Sequence, residues 1–118
     1  MANTFKVITR DLMSASANSD ETLYTTQSGS RVVVIGLSLA NVHTAQVTAT
    51  VKLASTTTQT SQTQNTTAHL IKDVPIPVGA TVEIMSGNKI ILNAGDAITV
   101  ACSVADKVSV IMSYMEID

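Results

Sequence analysis

Apolar residues recur at every second position in this chain, in short runs spread over most of its length. Val47, Ala49, Val51 and Leu53 alternate with Thr48, Thr50 and Lys52. Ile98, Val100, Cys102 and Val104 alternate with Thr99, Ala101 and Ser103, and Val82 and Ile84 flank Glu83. A strand sends successive side chains to opposite faces, so this period buries one set and turns the other toward water or a partner. Two runs break the alternation: Arg31–Ala40 (RVVVIGLSLA) is apolar on both faces at first, and Val108–Ile117 (VSVIMSYMEI) is similar. They are expected to be central strands, covered on both sides. No long amphipathic helical stretch competes. The best helical candidate is a short turn around Asp11-Leu12-Met13-Ser14.

Turn chemistry separates the runs. Ser28-Gly29-Ser30 precedes the first long strand. Pro75 and Pro77 block ladder donation and impose extended or turn geometry. Ser86-Gly87-Asn88-Lys89 predicts a tight hairpin between Val82–Met85 and Ile90–Leu92. Asn93-Ala94-Gly95-Asp96 predicts a turn with Gly95 at positive φ, and Val104-Ala105-Asp106-Lys107 a further one. Strands are expected near 5–9, 22–26, 31–40, 44–54, 66–73, 80–85, 89–92 with 97–103 following, and 107–117. The expected fold is all-β, an antiparallel β-sandwich or jelly roll of about eight strands, forming a single domain over 1–118.

One stretch fits none of this. Ala54 to Thr67 (ASTTTQTSQTQNTT) is uncharged and almost wholly polar, too polar for a core. It is an exposed loop or hairpin, or an arm laid over a neighbouring subunit. Threonine favours extended backbone, which makes an arm physically sound.

Composition narrows the function classes. A chain of 118 residues can bury a core unaided. Aromatics are only 3%, so that core must be aliphatic. Charged residues are 14%, well under the usual share of about a quarter, and Ser and Thr take their place. A hydroxyl-rich surface repels neighbours weakly and suits a dense assembly, although Thr in strands also follows from β propensity alone. The net charge is −2 and the seven basic residues are scattered, so nucleic-acid binding is disfavoured. The start MANTFKVITRDLM lacks an apolar signal region, and no apolar run reaches spanning length. A soluble protein made in the cytosol is expected, with no membrane partner.

The search for chemistry is equally negative. Neither GxxxxGK[ST] nor GxGxxG nor a GxSxG elbow occurs. His43 and His69 have no His or Cys at ligand spacing, so no zinc site is expected. His43 is expected near a strand end and His69 on a half-exposed strand, neither as a catalyst. Cys102 is in phase with Ile98 and Val100, which predicts a buried, inert thiol. Asp73, Glu83, Asp96 and Asp106 are spread over turns and a strand, and turn aspartates ordinarily bond their own backbone. A calcium site from Asp96 and Asp106 matches no loop motif. Asn65-Thr66-Thr67 forms a glycosylation sequon, without meaning in a bacterial host. Met13 is isolated, and Met85, Met112 and Met115 are expected as core filler on strands. No catalytic residue, cofactor or metal is expected, and the chain is not read as an enzyme.

Two segments carry a resemblance. ETLYTTQSGSRVVVIGLSLANV, from Glu21 to Val42, and LIKDVPIPVGATVEIMSGNKIILNAGDAITVACSVADKVSVIMSYMEI, from Leu70 to Ile117, resemble small virion structural proteins of tailed bacteriophages, marine and cyanobacterial ones in particular. The elements concerned are the strand entering GLSLAN, the PIPVGATVE turn and strand, the LNAGDAITV hairpin and the closing VSVIMSYMEI strand. The resemblance implies a β-sandwich that decorates or cements a capsid, or that sits in the tail, neck or baseplate. It implies a protein that is made in the host cytoplasm and resides in the virion, with capsid or tail proteins as partners and further copies of itself as a homo-oligomer. The contacts would come from strand edges and from Thr56, Thr57, Thr58, Gln59, Thr60, Gln62 and Gln64 of the polar stretch. A carbohydrate-binding module is the reading from another class. It needs exposed aromatic platforms, while Trp is absent and Tyr24 and Tyr114 fall on predicted strands.

Overall fold

The computed structural model describes residues 3–55, 66–85 and 87–117. Among them are nine strands and no helix: β1 (Asn3–Met13), β2 (Glu21–Thr25), β3 (Arg31–Asn41), β4 (Val47–Ala54), β5 (Thr67–Ile76), β6 (Thr81–Glu83), β7 (Ile90–Leu92), β8 (Ala97–Cys102) and β9 (Val108–Ile117). The turn expected at Asp11–Ser14 is not helical. β1 runs through it to Met13, with Leu12 at φ 61° and a register shift between Arg10 and Met13.

The topology is a long antiparallel hairpin rolled up on itself. β4 pairs with β5 at its tip, β3 with β6 and β7, β2 with β8, and β1 with β9. Rolling then brings β9 against β3 and β8 against β4. The result is one five-stranded sheet in the order β1-β9-β3-β6, with β7 also on β3, and one four-stranded sheet in the order β2-β8-β4-β5. Two facing antiparallel sheets joined by crossing connections make a jelly roll.

The hairpin expected between β6 and β7 does not form. Both run antiparallel to β3 on the same edge, β6 opposite Ser38–Ala40 and β7 opposite Val32–Val34. Two segments pointing the same way cannot be joined as a hairpin, so they serve as one interrupted strand. The interruption faces a bulge at Ile35–Gly36, and Glu83 fills it: its Oε1 accepts the N–H of Leu37 at 3.1 Å and of Met85 at 3.2 Å. LNAGDAITV is likewise no hairpin, because β7 and β8 belong to different sheets. Its turn does form, with Asp96 N–H on Asn93 O and Gly95 at φ 91°. Pro75 lies inside β5, where the lost donor is tolerated because β5 is an edge strand.

The core is aliphatic, as expected. Val32, Val34, Leu37, Leu39, Val110 and Met112 from the larger sheet meet Leu23, Val47, Val51, Ile98 and Val100 from the smaller. Cys102 lies buried among them, as do Met13 and Met85 between the strands. Tyr24 and Tyr114 pack on each other with ring centroids 5.0 Å apart.

Candidate functional site

The two outer faces of the sandwich differ in character. Residues directly opposite in a ladder share a face, so the registers define each surface. On the smaller sheet, Lys52 stands beside Thr99 and Thr50 beside Ala101, with Thr48 further along β4. This outer face is rich in hydroxyls and charges. It carries a groove of about 160 Å³ lined by Asp20, Thr48, Thr50, Lys52, His69 and Asp73 among others. Three of its charged groups are engaged locally: Lys52 Nζ is 2.9 Å from Asp20 Oδ2, and Asp73 exchanges hydrogen bonds with the Thr50 hydroxyl.

The outer face of the larger sheet is apolar. Phe5 is opposite Met115, Met115 opposite Val33, and Val33 opposite Ile91. These registers draw one row across four strands, from β1 through β9 and β3 to β7. The next position toward the Asn41 end holds Val7, Ser113 and Gly36, with Ile35 bulged outward beside them. Beyond that lies Ile111, between Thr9 and Ser38. At the other end of the row are Asn3, Ile117 and Arg31. Phe5 is 73% exposed, Val7 and Ile91 59%, Ile111 49% and Ile35 41%. Beside the small Ser113 lies a shallow hollow of about 310 Å³, lined by Phe5, Lys6, Val7, Ile35 and Tyr114.

Alternation alone would place polar residues here. Burial of β3 and β9 on one side is complete, since Val32, Val34, Leu37, Leu39, Val108, Val110 and Met112 are at most 1% exposed. The expectation that these strands are covered on both sides is met on the inner side only. Among the described residues, the smaller sheet covers one face of the larger sheet and none covers the other. Charge is sparse on that face: Arg31 stands at one end, and Asp11 and Glu83 toward the other, with Asp11 accepting from the Ser109 hydroxyl and Glu83 occupied at the bulge. Lys6 turns to the inner side and pairs with Glu116 at 2.6 Å.

The residues singled out from sequence fall elsewhere. Thr56, Thr57, Thr58, Gln59, Thr60, Gln62 and Gln64 lie outside the described residues, as does Asn65 of the sequon. Their stretch joins β4 to β5, whose ends Ala54 and Thr67 are paired. His43 sits in the β3–β4 connection, its N–H on Asn41 Oδ1 at 2.7 Å, and His69 lies on the groove of the opposite face. Asp96 is buried and accepts the Asn93 N–H in its own turn. It precedes β8 while Asp106 follows it, and a six-residue strand spans about 20 Å. Those two carboxylates therefore cannot share an ion. No group of three or more His, Cys, Asp or Glu among the described residues could hold a metal. The sequence did signal the apolar face, in the two runs that are apolar at consecutive positions. What it concealed was that β1 and β7 extend the patch sideways, because that depends on register. Comparison with protein-family models, with curated proteins and with solved structures finds no match for this chain.

Proposed function

We propose that this chain is a non-enzymatic structural protein that works by docking the outer face of its larger sheet, and that its place is the virion, as a capsid decoration protein. The observation that carries the assembly half is the row Phe5–Met115–Val33–Ile91, a four-strand apolar stripe turned to solvent. Soluble monomers rarely present contiguous apolar surface on this scale, and where they do it marks a contact site. The virion half is supported by the resemblance of Glu21–Val42 and Leu70–Ile117 to phage structural proteins, and by a jelly-roll topology that recurs in viral capsid domains. Fold alone does not assign a role, since lectin domains share it. The sugar-binding reading loses support from the tyrosines, which stack on each other beside the core instead of forming an open platform.

Gold-labelled antibody to the chain, applied to particles from its source and viewed by electron microscopy, tests the proposal. Label over the shell is the expected result. Label on the tail, neck or baseplate would move the protein there with the docking face intact. Particles without label would refute the virion reading.

A further inference from the structure

We infer that the occupant of the apolar face is a second copy of this chain, packed sheet on sheet about a two-fold axis that runs along the strands. The inference rests on the assembly reading above and names its partner.

Three observations lead to it. The first is extent. Four strands at about 4.8 Å spacing and ten residues of β9 at about 3.3 Å give a face of roughly 600 Å². Two copies would bury on the order of 1,200 Å² together, the lower bound of stable, specific interfaces. The second is charge. The apolar rows contain no charged side chain; the charges on the face, Arg31 at one end and Asp11 and Glu83 toward the other, stand at its rim, so the centre of one copy meets another without desolvating an ion. The third is that, among the described residues, the face has no different apolar surface to match. The outer face of the smaller sheet is hydroxylated and charged. The other large exposed apolar residues, Leu12, Val42 and Val78, lie in a bulged strand end and in connections. A head-to-tail contact needs two unlike complementary patches, whereas a single patch is satisfied by its own copy across a two-fold axis.

The direction of the axis follows from where the apolar side chains lie. The row Phe5–Met115–Val33–Ile91 sits toward the Arg31 end, while Asp11, Thr9, Ser38 and Glu83 lie toward the Asn41 end. An axis along the strands, in the interface plane between β9 and β3, keeps like ends together. It sets Phe5 over the partner copy's β7 and Met115 over its β3. Aligned packing of twisted sheets is a common solution for two such faces. The hollow over Ser113 would receive side chains from the facing copy.

Sedimentation equilibrium of the full chain tests the number of copies. The expected mass is twice 12.4 kDa at ~100 µM. Ile91→Glu on the face should give the single-chain mass with an unchanged far-ultraviolet spectrum. Val78→Glu, equally exposed at 57% but off the face, should leave the double mass. Orientation is read from mixing Phe5→Cys with Ile91→Cys under oxidation: each chain carries one engineered surface cysteine and Cys102 is buried, so bridges form between chains. The mixture should give a covalent heterodimer in preference to either homodimer. A wild-type chain that sediments as a monomer or a trimer overturns the inference, and so does a double mass that Ile91→Glu leaves intact. Homodimer cross-links without the mixed one overturn the axis. If the chain is monomeric while Ile91→Glu still abolishes its place on particles, the docking reading survives and the second copy does not. If that variant changes neither mass nor incorporation, both fail.

Discussion

Asn41 closes the end of β3 and should be among the most sensitive polar positions. It is 5% exposed and spends its whole side-chain amide on backbone. Nδ2 donates to Ala45 O at 3.0 Å and to Ile76 O at 2.9 Å, and Oδ1 accepts from His43 N at 2.7 Å. Two of these bonds hold the β3–β4 connection. The third ties the larger sheet to β5 of the smaller one. Asn41→Ala removes all three and leaves Ile76 O without this donor in a buried setting. At about 1 kcal/mol net for each bond, the loss is about 3 kcal/mol. For 118 residues at roughly 2.1 cal/mol/K each, the unfolding entropy is about 250 cal/mol/K, so the midpoint should fall by about 12 °C. Thermal unfolding followed by far-ultraviolet circular dichroism, at one fixed protein concentration, measures this directly. Asn41→Asp sharpens the test. It keeps the acceptor for His43 N–H but turns a carboxylate toward two carbonyl oxygens, so it should be at least as damaging as alanine. A drop of less than ~3 °C for Asn41→Ala would refute the additive reasoning. An aspartate variant milder than alanine would refute the amide orientation.

Other substitutions probe separate parts of the fold. Glu83→Ala strips the acceptor from Leu37 and Met85 N–H groups and should cost about 1–2 kcal/mol in urea unfolding, whereas Glu83→Gln keeps an amide oxygen there and should cost under about 1 kcal/mol. Gly79 sits at φ 74° in the turn where Ala80 N–H meets Pro77 O, with open space around its would-be Cβ, so Gly79→Ala should cost about 1 kcal/mol through the backbone alone and Gly79→Asn less. Cys102 is 1% exposed, so a thiol reagent should label it only as fast as the protein unfolds and at once in denaturant; rapid labelling of the native protein would contradict its burial.

The strands readable in advance were those whose side-chain pattern is dictated by the core. Val47–Ala54 and Ala97–Cys102 lie where period two places them, since inward residues such as Val51 and Val100 meet the opposite sheet. β1 was underestimated because the core does not set its pattern. Asn3 to Val7 are exposed on both faces, and the strand is held through its ladder with β9. A pairing of that kind leaves no hydrophobic mark on the strand itself. The β6–β7 error has a related origin. Gly87 and Asn88 supply good turn chemistry, but whether two flanking strands pair with each other or line up along a third depends on β3, some fifty residues earlier. Local composition carries no trace of that choice. The capping role of Asn41 likewise leaves no local mark, because it depends on where Ala45 and Ile76 return.

The same distinction bears on the docking face. Strands in an isolated sandwich need one apolar side, and β4 obeys this, with Thr48, Thr50 and Lys52 turned outward. β3 and β9 do not. Had their outward residues been free of any demand, Thr and Ser would serve as they do on β4, since hydroxyls cost little on a solvated strand. Instead Val33, Ile35, Ile111, Met115 and Ile117 stand there beside Ser38, Ser109 and Ser113, and Phe5, Val7 and Ile91 continue the apolar surface on β1 and β7. Two-sided apolar strands are the mark of a sheet buried on both sides. Among the described residues only one of the two covers is present. If the proposed docking supplies the second, the variants that test it should leave folding almost untouched while changing assembly.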